Sequence, residues 1–198
     1  MIGRRIRRFV GIPSRLLRSL LFYRYRFDKW HVSTLYDLMY PDQITRFLNS
    51  RPVAGRVSVV EIGCGLGDIL RSLRYKEKTG LDIDRNVLKG AAFLSSLRFQ
   101  KTTFDYFQFP DSKLTGMFDT IIMVNWIHHI APPLLKAKVA EYFNQNLSPG
   151  GDIIVDTVQD SAYEVNHSID FIVSGLHCEV KSIGKDIRQR EVFAIRKK

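Results

Sequence analysis

Residues 59–70 read VVEIGCGLGDIL. A β-branched run ends in an acid, Glu61, and three glycines follow at alternate positions, Gly63, Gly65 and Gly67. An apolar run that stops at glycines predicts a buried strand ending in a tight turn. Gly63 and Gly65 let the backbone turn sharply and let a ligand approach with no Cβ in the way, and Gly67 stands where the next helix packs close. The spacing is not G-x-G-x-x-G. The third glycine comes one residue early, and Asp68 in the first helical turn would repel a phosphate at the helix N-terminus. The stretch therefore predicts a ligand with a cationic group and no pyrophosphate, which disfavours a nicotinamide-dependent oxidoreductase.

Working outward, strands and helices alternate. Strands are predicted at Val57–Ile62, Lys78–Ile83, Phe99–Phe104, Phe118–Val124 and Asp152–Val158. Between them, helices are predicted from the glycine turn to about Tyr75, over Arg85–Leu97 with Asp84 as N-cap, and over Leu134–Leu147. A short helix over Val165–Ser174 precedes two paired strands, LHCEVKSI and EVFAIRK. Alternation implies a parallel sheet with right-handed crossovers, and the closing pair makes it mixed. A helix is also expected over Thr34–Leu48, with Pro41 as a break or kink.

The 198 residues suffice for one domain with a full core, and 45% hydrophobic content is that of a globular chain. Two cysteines, Cys64 and Cys178, make no disulfide framework and suit a reducing, cytoplasmic setting. The net charge of +10 is concentrated at the front: residues 1–29 hold nine Arg and Lys against Asp28 alone. From Ile12, apolar Leu16, Leu17, Leu20, Tyr23 and Phe27 recur at helical spacing, with Arg15, Arg18 and Arg26 expected on the other side. The arginines interrupt every apolar run, so a signal peptide is not expected, and no run approaches the ~20 residues of a membrane span. Such a basic amphipathic arm is open to three readings: a solvated face, contact with an anionic membrane surface, or contact with an acidic acceptor such as RNA. The composition shift near residue 30 divides the chain into an N-terminal helical extension, 1–52, and a main domain, 53–198.

In open α/β sheets, ligands bind at the carboxyl ends of the strands. Asp82 ends the second strand, 19 residues after Gly63, where a carboxylate can accept ribose hydroxyls. Asp105 and Tyr106 follow the third strand, suited to an adenine amine and face, and Asn125 and Trp126 follow the fourth. These motifs, in this order, resemble the class I S-adenosylmethionine-dependent methyltransferases. VVEIGCGLG is similar to the family's first motif, TGLDID to its second, TFDYFQFP to its adenine-side motif, FDTIIMVNWIHHI to its fourth-strand motif and LSPGGDIIV to its entry to strand five. The resemblance covers about residues 55–198.

The resemblance implies a Rossmann-like, doubly wound, mostly parallel seven-stranded sheet with an antiparallel C-terminal strand. It implies S-adenosylmethionine as cofactor. Glu61 would accept from the methionine amino group or position the loop. Gly63 and Gly65 would approach the methionine portion, with Cys64 between them. Asp82 would bind the ribose with Ile83 beside it, Asp105 and Tyr106 would contact adenine, and Asn125 would line the methionine end. His128 is the candidate general base, a neutral-pH imidazole near the transferred methyl. Trp30, His31, Trp126 and His129 are candidates for the acceptor side. NWIH departs from the N/D-P-P-Y/F pattern of enzymes that methylate base amines, so a nucleobase amine is disfavoured. No metal is implied, since the histidines and acids lack ligand spacing.

The short segment between strands five and six leaves little room for a large recognition domain. The expected acceptor is a small molecule, a sugar or a lipid-linked group, and FDKWH resembles a stretch in bacterial methyltransferases of surface-glycan pathways. The expected location is cytoplasmic, at most peripheral on the inner membrane surface. An RNA methyltransferase using the basic arm, and an inactive cofactor-binding scaffold, are the alternatives. Nothing in the sequence indicates the oligomeric state.

Overall fold

The computed structural model describes residues 12–32, 40–97, 101–160, 163, 165–185 and 189–198. Seven strands form one sheet: β1 Ser58–Ile62, β2 Glu77–Asp82, β3 Thr103–Tyr106, β4 Phe118–Met123, β5 Leu147–Val158, β6 Cys178–Lys185 and β7 Arg190–Lys197. Their order is β3-β2-β1-β4-β5-β7-β6. The pairs from β3 through β5 are parallel, and β7 runs antiparallel to both β5 and β6. This is the expected doubly wound mixed sheet. The strand order reverses between β1 and β4, so their carboxyl ends flank a crevice.

Period-two alternation sorts the core onto the two faces of the sheet. Val60, Ile62, Ile121, Met123, Ile153 and Val155 pack in one cluster with Leu135, Val139, Tyr142 and Phe143 of α5, Pro132–Gln145. Val59, Ile122, Val124 and Ile154 pack in another with Ile44 and Leu48 of α2, Tyr40–Asn49, and with Ile69 and Leu70 of α3, Asp68–Ser72. A third cluster joins Leu21 of α1, Ile12–Tyr25, to Phe27, Leu66, and Val87 and Leu94 of α4, Arg85–Ser96. Burying each such side chain stabilises the fold by ~1.5–3 kcal/mol. On either side of residue 52 the chain shares these clusters: α1 contributes Leu21, and α2 contributes Ile44 and Leu48. α6, Ile169–Val173, completes the helices.

Asp84 caps α4, its carboxylate accepting from Asn86 N and Val87 N. The helix expected to run to Tyr75 ends at Ser72. Asn49 ends it from a distance: its amide donates to Ser72 O at 3.0 Å and its oxygen accepts from Arg74 N at 2.8 Å. The expected helix over Thr34–Leu48 is described only from Tyr40, residues 33–39 lying outside the described set, and Pro41 sits in its first described turn without a break. The third strand starts at Thr103, residues 98–100 lying outside the described set.

α1 packs with a different face from the expected one. Arg18 is buried beside Leu21, while Leu16, Leu20 and Tyr23 are exposed. No helix among the described residues is long and apolar enough to cross a membrane.

Candidate active site

A cavity of about 360 Å³ opens where β1 and β4 end, within the ~300–1,000 Å³ of ordinary small-molecule sites. β1 delivers Glu61 and Ile62 to its wall, and the turn that follows adds Gly63, Cys64 and Gly65. Gly63 N and Cys64 N donate to Leu81 O at 2.7 and 3.0 Å, which pins the turn to the end of β2. Asp82, 7% exposed, then organises both loops: Oδ2 accepts from Gly65 N and Oδ1 from Asp84 N, each at 2.9 Å. Ile83, beside it, also lines the cavity.

Both turn glycines adopt positive φ, +73° and +52°. The bare backbone is approached by this chain's own side chains. A Cβ on Gly63 would lie 2.3 Å from the Trp126 indole, and one on Gly65 would lie 3.0 Å from His31 Nδ1. Trp126 Nε1 donates to Ile62 O at 2.6 Å, and its ring meets Phe109 edge-on at 4.9 Å.

Glu61 is a buried acid at the cavity wall. Its Oε2 is buried without a hydrogen-bond partner. Burial holds its carboxyl well above the usual carboxylate range, the Asp68 carboxylate adds to this, and the Leu70 backbone and Arg71 oppose it. A carboxyl raised in the folded state binds its proton more tightly there than in the unfolded chain. Its contribution is thus most favourable below the ordinary carboxylate range and is lost as pH rises towards the raised value. Glu61→Gln is therefore expected to stabilise the ligand-free protein at pH 7 by on the order of 1 kcal/mol, a rise in Tm of ~2–4 °C. A thermal melt at pH 7 checks this, and an unchanged Tm would mean the carboxylate is already compensated.

Asp68 does not face the cavity as a lone anion. Arg18 Nη2 donates to its Oδ1 at 2.7 Å, and Arg71 pairs with the same oxygen. Its repulsion of a phosphate, inferred from sequence, is offset by these two guanidinium groups, and Glu61 and Asp82 give the site its acidic character instead. The Arg18 pair also ties α1 to the cavity wall.

The remaining expected residues divide. Trp30, His31, Asn125 and Trp126 line the cavity. Burial holds His31 below its ordinary value, against the pull of Asp82, Asp84, Asp28 and Asp68, so its imidazole is neutral at pH 7. Asp105 and Tyr106 are exposed and lie outside the lining, the Tyr106 ring lying under Arg85 at 4.0 Å. From that loop Phe107, 5% exposed, and Phe109 line the cavity instead. His129 is exposed and outside the lining. His128 is also outside the lining: a 3-10 turn over Ile127–His129 carries its side chain into the interior, fully buried.

There it meets a polar network that sequence reasoning missed. Asp156, at 0% exposure on β5, lies 3.1 Å from His128 Nε2, accepts from Asn125 N at 2.8 Å and pairs with Arg190 of β7. Asn125 is held at φ +77° by this bond, a left-handed conformation that asparagine tolerates better than most residues. Arg190 in turn donates to the Tyr163 hydroxyl at 2.9 Å and lies over the Tyr40 ring, itself a lining residue. Among the described residues, no group of three or more His, Cys, Asp or Glu is arranged to hold a metal ion.

Residues 60–153 match a family model described as a methyltransferase domain. No curated protein sequence matches the chain. Among solved structures, the fold is similar to that of the N-methyltransferase NodS from Bradyrhizobium japonicum WM9 in complex with S-adenosylhomocysteine. The two share 15% identity over 91% of this chain and 98% of that one, with a TM-score of 0.67. It is similar to the magnesium protoporphyrin IX methyltransferase of Synechocystis PCC 6803 with bound S-adenosylmethionine, at 14% identity, 90% of each chain and a TM-score of 0.63. The DhpI complex with S-adenosylhomocysteine is similar at 18% identity, over 92% of this chain and 97% of that one, with a TM-score of 0.66. At these identities the structural likeness is one of fold.

Proposed function

We propose that this chain, whose residues 60–153 match a methyltransferase domain, is a class I S-adenosylmethionine-dependent methyltransferase and that its cavity holds that cofactor beside a small-molecule, sugar or lipid-linked acceptor. The observation that carries the reading is the pairing of two buried carboxylates with a bare glycine turn. The orphaned Glu61 Oε2 suits an ammonium group, and Asp82, with one backbone donor on each oxygen, keeps accepting capacity for ribose hydroxyls. Ile83 and Phe107, which line the cavity, supply apolar surface for an adenine, with Asp105 and Tyr106 on the exposed side of the same loop. When bound, the cofactor supplies an activated methyl group on a sulfonium.

The chain's own residues then bind, orient and exclude water. Aligning two bound reactants can contribute ~7–11 kcal/mol. Trp126, Phe109 and Trp30 give the acceptor an aromatic wall that shields the reaction from water. His31 is the imidazole positioned at the cavity and neutral at pH 7, so it is the candidate to take a proton from the acceptor. His128 serves the Asp156 network.

The test is transfer of a tritiated methyl group to fractionated metabolites, lipids and RNA from the source cell. Label in a small-molecule or lipid fraction is expected. Label confined to RNA would overturn the acceptor class.

A further inference from the structure

The outward face of α1 is apolar. Leu16, Leu20 and Tyr23 are 63%, 66% and 70% exposed, and spacings of four and three residues set them in one row along the helix. Rolling the helix cannot hide them, because its inner face is engaged by buried Leu21 and by Arg18 on Asp68. Single exposed apolar residues are ordinary, whereas a contiguous row marks a contact surface.

Arg24, Arg26 and Lys29, at the end of the helix and just beyond, are exposed. Trp30, 56% exposed, follows and lines the cavity. A leucine row beside cations, with a tryptophan at its edge, is the chemistry of a helix lying in the headgroup layer of an anionic bilayer. A nucleic acid would satisfy the cations and leave the leucines in water.

We propose that α1 docks the protein on an anionic lipid surface, with Leu16, Leu20 and Tyr23 entering the interface and Arg24, Arg26 and Lys29 meeting the headgroups. The methyl acceptor is then a lipid-borne group that reaches the cavity from that surface, a statement that rests on the methyltransferase reading above. Arg18 makes the docking helix and the cavity wall one packed unit through Asp68, so docking through α1 would hold the cavity at a fixed distance from the lipid surface.

The test is sedimentation of the full chain with vesicles of phosphatidylcholine mixed with phosphatidylglycerol, and with vesicles of phosphatidylcholine alone. Binding to the mixed vesicles only is expected, and Leu16→Gln/Leu20→Gln should lower that partitioning roughly tenfold or more. S-adenosylhomocysteine binding should be unchanged in the double variant, since neither leucine lines the cavity, which also shows that it folds. Equal partitioning of variant and wild type would overturn the docking role of the row. So would absence of vesicle binding together with equal binding of both proteins to single-stranded RNA. With vesicles present, methyl label should enter the lipid-extractable fraction, and label only in the aqueous fraction would overturn the lipid-borne acceptor. Failure of the wild type to bind S-adenosylhomocysteine would count against the cofactor reading and leave the vesicle result standing.

Discussion

Asp156→Ala is expected to destabilise the protein by about 3–5 kcal/mol. The carboxylate is fully buried and serves three partners: Asn125 N, His128 Nε2 and the Arg190 guanidinium. Taking it away leaves the 6%-exposed Arg190 without its carboxylate partner, and the Tyr163 hydroxyl and Tyr40 ring offer no compensating negative charge. Arg190 is held above its ordinary value although burial alone would lower it, chiefly because the Asp156 carboxylate outweighs that burial. For a chain of this size the loss corresponds to a fall in Tm of ~6–20 °C. Urea unfolding at pH 7 measures it. Asp156→Asn should cost less, because an amide oxygen can still accept from Asn125 N. A loss below about 1 kcal/mol for Asp156→Ala would mean that water or a neighbouring group replaces the carboxylate.

Asp82→Ala is expected to weaken cofactor binding by about 1.5–3 kcal/mol for the lost bonds to a charged acceptor, roughly 10- to 150-fold in Kd. The side chain has a second task, since it also accepts from Gly65 N and Asp84 N and so holds the glycine turn against the end of β2. The affinity loss should therefore come with a modest fall in Tm. Calorimetric titration with S-adenosylhomocysteine reads the first effect and a thermal melt the second. Unchanged affinity would remove Asp82 from the ribose place.

The strand-end residues were legible because strand and turn are local in sequence. Glu61, Gly63, Gly65, Asp82 and Asn125 follow directly from where β1, β2 and β4 stop, and all five line the cavity. Tyr40 and Arg18 reach it from helices, through packing no local pattern encodes. His128 shows the limit within a single motif. Trp126 lines the cavity, yet one 3-10 turn sends His128 into the interior, where Asp156, 28 residues away in sequence, receives it. In the third loop Asp105 and Tyr106 are exposed beyond the cavity lining, and the buried side chain at the cavity is Phe107, a distinction no local pattern in TFDYFQFP marks. Helical periodicity in α1 located the helix and part of its inner face: Leu17 and Phe27 pack inward as expected, whereas the ion pair to Asp68 draws Arg18 inward and Leu16, Leu20 and Tyr23 stay outside. Element ends shifted where distant side chains decide them, as Asn49 does for α3.

The cavity beside the glycine turn is the place proposed for S-adenosylmethionine. Isothermal titration of the wild-type chain with S-adenosylhomocysteine, alongside an identical titration with NAD, tests it most directly. Single-site binding of S-adenosylhomocysteine, weakened in Asp82→Ala and absent for NAD, is the predicted result. Binding of NAD with none of S-adenosylhomocysteine would contradict it.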